Sequence, residues 1–142
     1  MSDYLDPDIG SRASARAAGV QGRYIVSARH NHIVSDGRVS QGGPGDAVFA
    51  GELLLGSLVS CAVGLVVKRT LELGGSDVVV DAQFLRHPED PTRFKEMTLD
   101  FTFTGLTPEQ AADAVDYFTA RCPIYNTLHR GGPITIRRHI AA

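Results

Sequence analysis

Between Leu53 and Val67 the chain carries no charged side chain, and its apolar residues fall on every side of a helical wheel. That pattern predicts a helix from Glu52 to Leu73 that is buried all round. Glu52 at its start complements the helix dipole, and Gly74-Gly75 supplies its stop. The rod is roughly 33 Å long at about 1.5 Å per residue. Lys68, Arg69 and Glu72 interrupt the apolar run before the roughly 20 residues that a membrane span needs, so a soluble core helix is expected and no membrane partner. A single domain of 142 residues has little else with which to bury such a rod, and the pattern predicts a homodimer that packs two of them together.

Elsewhere the periods are shorter. Residues 1–20 have weak periodicity and read as a flexible arm with a helical turn around Arg12 to Ala18, leaving 21–142 as one domain. Tyr24 to Arg29, His32 to Ser35 and Arg38 to Ser40 are β-prone runs separated by turn signals such as Asp36-Gly37, the pattern of a hairpin or small meander. Residues 41–46 form a loop by composition. Val78 to Leu85 reads as a strand, His87 to Pro91 as a turn, and Met97, Leu99, Phe101 and Phe103 alternate with polar residues as in a strand with one wet face. These two strands are expected to pair as an antiparallel hairpin.

Thr107-Pro-Glu-Gln110 predicts a second helix with Thr107 as N-cap, Pro108 at the first helical position and Gln110 completing a capping box. Ala111, Ala114, Val115 and Phe118 form its apolar stripe, and it ends near Arg121. Cys122-Pro123 then starts a short helix through Leu128 with Cys122 at the N-cap, where unpaired N–H groups favour a thiolate. Ile134 to Ile136 is expected as a last strand. The order of elements is that of an α+β domain.

Composition narrows the function classes. A net charge of −2 gives no electrostatic case for nucleic acid as a partner. The acidic first eight residues lack the apolar core of a signal peptide, which points to the cytoplasm. Two cysteines are too few for a disulfide scaffold. His30 and His32 share one face of a strand without a third ligand, so no metal is expected, and Gly42-Gly-Pro-Gly45 lacks the ending of a phosphate loop, so no nucleotide cofactor is expected. Cys61, in the middle of the long helix, reads by itself as a small buried hydrophobe, and a reactive Cys61 requires a cation or helix end brought from elsewhere.

Glu52-Leu-Leu-Leu-Gly-Ser-Leu-Val-Ser-Cys61, Gly105-Leu-Thr-Pro-Glu-Gln110 and Arg121-Cys-Pro-Ile-Tyr-Asn-Thr-Leu128 resemble the OsmC/Ohr family of osmotically induced and organic hydroperoxide resistance proteins, over about residues 23–140. The segment Arg29 to His32, Asp36 and Gly42-Gly43 is similar to its OsmC-like redox subgroup. The resemblance implies an intertwined homodimer, with antiparallel sheets around long buried central helices and active sites at the dimer interface. It implies a thiol peroxidase for organic hydroperoxides, with Cys61 as the attacking thiol, Cys122 as the resolving thiol and a dithiol, such as a lipoylated protein, as reductant.

The family also uses an Arg from the early strands and a Glu at the start of the long helix. Arg23 follows a glycine as that Arg does, while Arg29 and Arg38 also lie on the early strands. Where the family reads Asn-Pro-Glu this chain has Ala50-Gly51, and its carboxylate, Glu52, comes one position later. On a straight helix Glu52 then lies opposite Cys61 and roughly 13 Å away, and its plainer role is to cap the helix. The alternative to an enzyme is a non-catalytic dimeric module that binds apolar small molecules in a pocket lined by Leu, Val and Phe near Cys61.

Overall fold

The computed structural model describes Asp6 and residues 8–141. The chain forms two compact units, Met1–Leu54 and Leu55–Ala142.

In the first unit, β1 (Ser14–Ala17), β2 (Arg23–Ala28) and β3 (Asn31–Asp36) form an antiparallel sheet in that order. The helical turn expected around Arg12 to Ala18 is instead β1, with Ser14 opposite Ser27 and Ala17 opposite Tyr24. A lone helical turn pays the cost of nucleation with nothing to pack on, whereas the edge of β2 offers a ready ladder. His30 lies in the β2–β3 turn and not on a strand beside His32. Arg38 to Ser40, expected as β-prone, finds no partner strand among the described residues, and Val39–Gln41 makes a single 3-10 turn.

The loop after β3 is held by close backbone packing and one buried carboxylate. A Cβ on Gly43 would overlap the Gly37 carbonyl, so only glycine permits this crossing. Asp36, with its side chain 0% exposed, accepts hydrogen bonds from Arg23 Nε at 2.8 Å and Arg23 Nη2 at 2.9 Å. Its Oδ2 also accepts from the backbone N–H groups of Asp46 at 3.0 Å and Ala47 at 2.8 Å. Ser35 Oγ donates to the Val48 carbonyl at 2.9 Å, seating the same loop one residue further along.

The long helix, α1 (Ala50–Glu72), begins in the first unit, and its remainder lies in the second. There β4 (Asp77–Arg86) and β5 (Phe94–Thr104) pair antiparallel as expected, with Val78 opposite Phe103 and Val80 opposite Phe101. The capping box predicted for α2 (Pro108–Arg121) is present: Thr107 Oγ1 accepts from Gln110 N–H at 3.3 Å, and Thr107 N–H donates to Gln110 Oε1 at 2.9 Å. Gln110 Nε2 also donates to the Leu73 carbonyl at 2.9 Å, so the residue that starts α2 closes the end of α1. Arg69 pairs with Asp113 at 2.6 Å along the same seam. α3 (Pro123–Arg130) follows after a single residue, Cys122.

Ala62 and Val66 of α1, Val78 and Val80 of β4, Phe118 of α2 and Cys122 make the core of the second unit. Leu58, Ala62, Val66 and Thr70 are the buried residues of α1, one stripe at four-residue spacing. The helix is therefore not buried all round in the chain alone, and Val67 and Leu71 are exposed. By length and composition α1 would also satisfy a membrane span, with a mean hydropathy of 2.0, but its stripe is the core of an α+β unit. The strand expected at Ile134 to Ile136 is not formed. No neighbouring strand offers it a ladder among the described residues, and both isoleucines are 90% exposed.

Two measurements probe these contacts. Gly43→Ala should destabilise the protein by about 2 kcal/mol or more through backbone overlap, against about 1 kcal/mol for Thr107→Ala, which removes only a cap. Denaturant midpoints will show the order. The Arg23 fork and two backbone amides hold Asp36 far below the usual carboxylate range. Between its folded and unfolded pKa the folded state binds fewer protons, so the Asp36 contribution is complete above the unfolded value of about 3.9 and is lost as pH falls through the folded one. In an acid titration the stability gap between wild type and Asp36→Asn should hold steady above about pH 4 and narrow as the pH falls below it.

Candidate functional site

The two thiols meet at the start of α3. Pro123 occupies the first helical position and has no N–H, so Ile124 and Tyr125 carry the first free donors. Each serves one sulfur. The Tyr125 N–H donates to Cys122 Sγ at 3.3 Å, making Cys122 the N-cap, and the Ile124 N–H hydrogen-bonds to Cys61. The Asn126 amide donates to the carbonyls of Cys122 at 2.8 Å and Thr119 at 2.9 Å, which fixes the bend between α2 and α3. Both cysteines are free thiols.

Their exposures differ. Cys122 is 0% exposed within the core, whereas Cys61 is half-buried at its margin. Burial, with the Cys122 hydrogen bond and charge as lesser causes, pushes the Cys61 thiol up to about 11. The Ile124 amide works in the opposite direction, and no cation is among the groups acting on this sulfur in the described residues.

Arg23 and Glu52 are both engaged where they stand. Arg23 is forked onto Asp36, and its side chain is 31% exposed. Glu52 Oε1 accepts the Phe49 N–H at 2.9 Å, closing the first turn of α1 as an N3 carboxylate does. The sequence missed Asp36, because Asp-Gly is first read as a turn. The N-cap sulfur of Cys122 and the free amides of α3 were read correctly, but nothing in the sequence showed that the Ile124 amide reaches Cys61.

A cavity of about 300 Å³ in the second unit is lined by Leu58, Met97, Leu99, Tyr125, Leu128 and His129. Of the Leu, Val and Phe expected near Cys61 only leucines line it, with Met97, Tyr125 and His129 beside them, and Cys61 is not among its lining residues. Leu58 is one helical turn before Cys61 on α1, and Tyr125 is the residue whose amide caps Cys122. The Tyr125 and His129 rings stack at 5.2 Å between centroids.

Removing Cys122 deletes two causes that raise the Cys61 thiol. Cys122→Ala should therefore shift the pH midpoint of Cys61 alkylation downward, as followed by iodoacetamide labelling and mass spectrometry. An unchanged or higher midpoint would contradict the thiol contact.

No curated protein matches the chain. Solved structures do. An OsmC-like protein from Mycoplasma pneumoniae has a similar structure, with a TM-score of 0.71 at 14% identity over 84% of this chain and 87% of that one. An organic hydroperoxide resistance protein from Elizabethkingia anophelis has a TM-score of 0.67 at 21% identity over 87% of this chain and 89% of that one. An organic hydroperoxide resistance protein OsmC from Legionella pneumophila has a TM-score of 0.65 at 20% identity, covering 84% and 88% respectively. At these identities the likeness carries the α+β fold. The OsmC-like protein family model matches residues 43–137, a stretch that includes both thiols and all of α1, α2 and α3, and the chain belongs to that family.

Proposed function

We propose that this protein is a thiol-dependent peroxidase that reduces organic hydroperoxides in the cytoplasm as part of an oxidative stress response. The supporting observation is the pairing of a half-buried Cys61 with a fully buried Cys122 at one helix N-terminus. A bulky hydroperoxide can approach the first sulfur more readily than the buried second, which supports attack by Cys61 and resolution by Cys122. The Cys61 thiolate attacks the distal peroxide oxygen, the O–O bond breaks, and the departing alkoxide takes a proton to leave an alcohol and a Cys61 sulfenic acid. The Cys122 sulfur then displaces the hydroxyl as water and forms the disulfide, before the sulfenic acid is oxidised further. A dithiol, such as a lipoylated protein, returns both thiols by exchange and leaves as its own disulfide.

The apolar cavity beside Leu58 and Tyr125 suits the organic part of the substrate. Thiolate formation requires a nearby positive charge, and the family resemblance implies Arg23 for that role. The protein acts as a homodimer, and the exposed apolar residues Val67 and Leu71 of α1 support that assembly. One observation favours a second reading, a dimeric module that binds apolar small molecules without catalysis: Cys61 is pushed up to about 11, the state of an inert thiol.

Intact mass and free-thiol count after one equivalent of cumene hydroperoxide separate the two. The peroxidase loses two thiols and two hydrogens rapidly. Cys61→Ser abolishes the reaction, and Cys122→Ser diverts it to a sulfenic or sulfinic product. Survival of both thiols in the wild type would leave the binding module.

A further inference from the structure

We propose that Asn126 is a positioning residue for the thiol pair: its side-chain amide holds the break between α2 and α3 at which the Ile124 and Tyr125 N–H groups turn onto the two sulfurs. The proposal rests on the thiol chemistry of the peroxidase reading, and every residue it uses lies in the second unit.

The break begins with Pro123. In a continuous helix each N–H pairs with the carbonyl four residues earlier, so residue 123 would serve Thr119, Ile124 would serve Ala120 and Tyr125 would serve Arg121. Proline has no N–H, which deprives the Thr119 carbonyl of that donor. Asn126 replaces it from beyond the break. Its Nδ2 donates to the Thr119 carbonyl at 2.9 Å and to the Cys122 carbonyl at 2.8 Å. Both partners are acceptors only, so the amide faces them in one sense alone, with both of its N–H bonds in use.

Cys122 is thereby fixed at each of its polar groups. Its N–H donates to the Phe118 carbonyl at 2.9 Å, its carbonyl accepts from the Asn126 backbone N–H at 3.0 Å as well as from Nδ2, and its sulfur accepts from the Tyr125 N–H at 3.3 Å. Its φ of −75° and ψ of 113° are extended, which takes α3 out of line with α2. The Tyr125 and Ile124 N–H groups therefore serve Cys122 and Cys61 instead of the last carbonyls of α2. The Phe118 and Tyr125 rings, 5.3 Å apart between centroids, also pack across the joint, but apolar contact is not directional and does not decide where an N–H points. Asn126 acts on the sulfurs through this backbone.

The test is the pH profile of Cys61 alkylation by iodoacetamide, read by mass spectrometry of the Cys61 peptide, in wild type, Asn126→Ala, Asn126→Asp, Pro123→Ala, the Pro123→Ala/Asn126→Ala double variant and Thr107→Ala. Asn126→Asp keeps the shape and has no N–H to donate. Both Asn126 variants should raise the midpoint and slow labelling at neutral pH by about tenfold, the scale of one hydrogen bond to a charged group. Exchange of the Ile124 and Tyr125 amides, followed by NMR, should quicken in the same variants. Pro123→Ala returns an N–H to Thr119 and straightens the joint, so it should raise the midpoint as well, and the double variant should be no worse than Pro123→Ala. Thr107→Ala weakens the far end of α2 and should lower the melting temperature while leaving the profile in place.

If Asn126→Ala and Asn126→Asp do not fold, Pro123→Ala carries the test, because it removes the same break from the other side. A wild-type profile in Asn126→Ala with only a lower melting temperature, a midpoint that is unchanged or lower in Pro123→Ala, or a shift in Thr107→Ala as large as that in Asn126→Ala would overturn the proposal. Turnover of cumene hydroperoxide by the wild type judges the peroxidase reading separately, since alkylation needs no peroxide.

Discussion

The second unit depends on where Cys122 sits. Its side chain is a fully buried part of the core formed by Ala62, Val66, Val78, Val80 and Phe118, and its sulfur is also the N-cap of α3. A serine could cap as well but would bring a hydroxyl into an apolar cluster, and an alanine could fill the core but would leave the Tyr125 N–H without its acceptor. A thiol satisfies both demands because it packs as a small hydrophobe and still accepts a weak hydrogen bond. The same placement brings Cys61 to the adjacent amide, so the two thiols meet at the joint that links α2 to α3.

The first unit is organised by a different force. Its strands are largely half-buried or exposed, and among the described residues its buried ones are polar: Ser35 and Asp36. A buried carboxylate is tolerable only when its lone pairs are filled, and here a guanidinium and two backbone amides fill them. The crossing of Gly43 over Gly37 brings the loop close enough for those amides to reach. Backbone packing and charge satisfaction thus depend on each other, and Arg23 is held in place as part of the same arrangement.

Much of this was legible in the sequence where the signal was local. Thr107, Pro108 and Gln110 announced a capping box that is present atom for atom, and the alternation from Met97 to Phe103 announced β5 and its partner. Cys122-Pro123 announced a helix start with sulfur at the cap. The failures came where a distant partner decides. Ser14 to Ala17 became a strand because β2 offered an edge, and Ile134 to Ile136 stayed irregular because no strand lies beside it among the described residues. Asp36 carried no mark to distinguish a buried ion-pair acceptor from an ordinary turn residue, since its donors lie 13, 10 and 11 residues away in the chain.

The unburied apolar side of α1 and the raised Cys61 thiol constrain one another. Covering Val67, Leu71 and their neighbours removes apolar surface from water and is favourable at about 25 cal/mol per Å². Burial is already the largest influence raising the Cys61 thiol, so any further apolar cover over that sulfur drives it higher and makes it less reactive. Assembly through α1 alone would therefore favour the binding module. A peroxidase built on this helix needs a cover that brings positive charge to the sulfur as it excludes water, because a cation strengthens as the local dielectric falls. A flexible cation would lose that advantage by turning back to solvent.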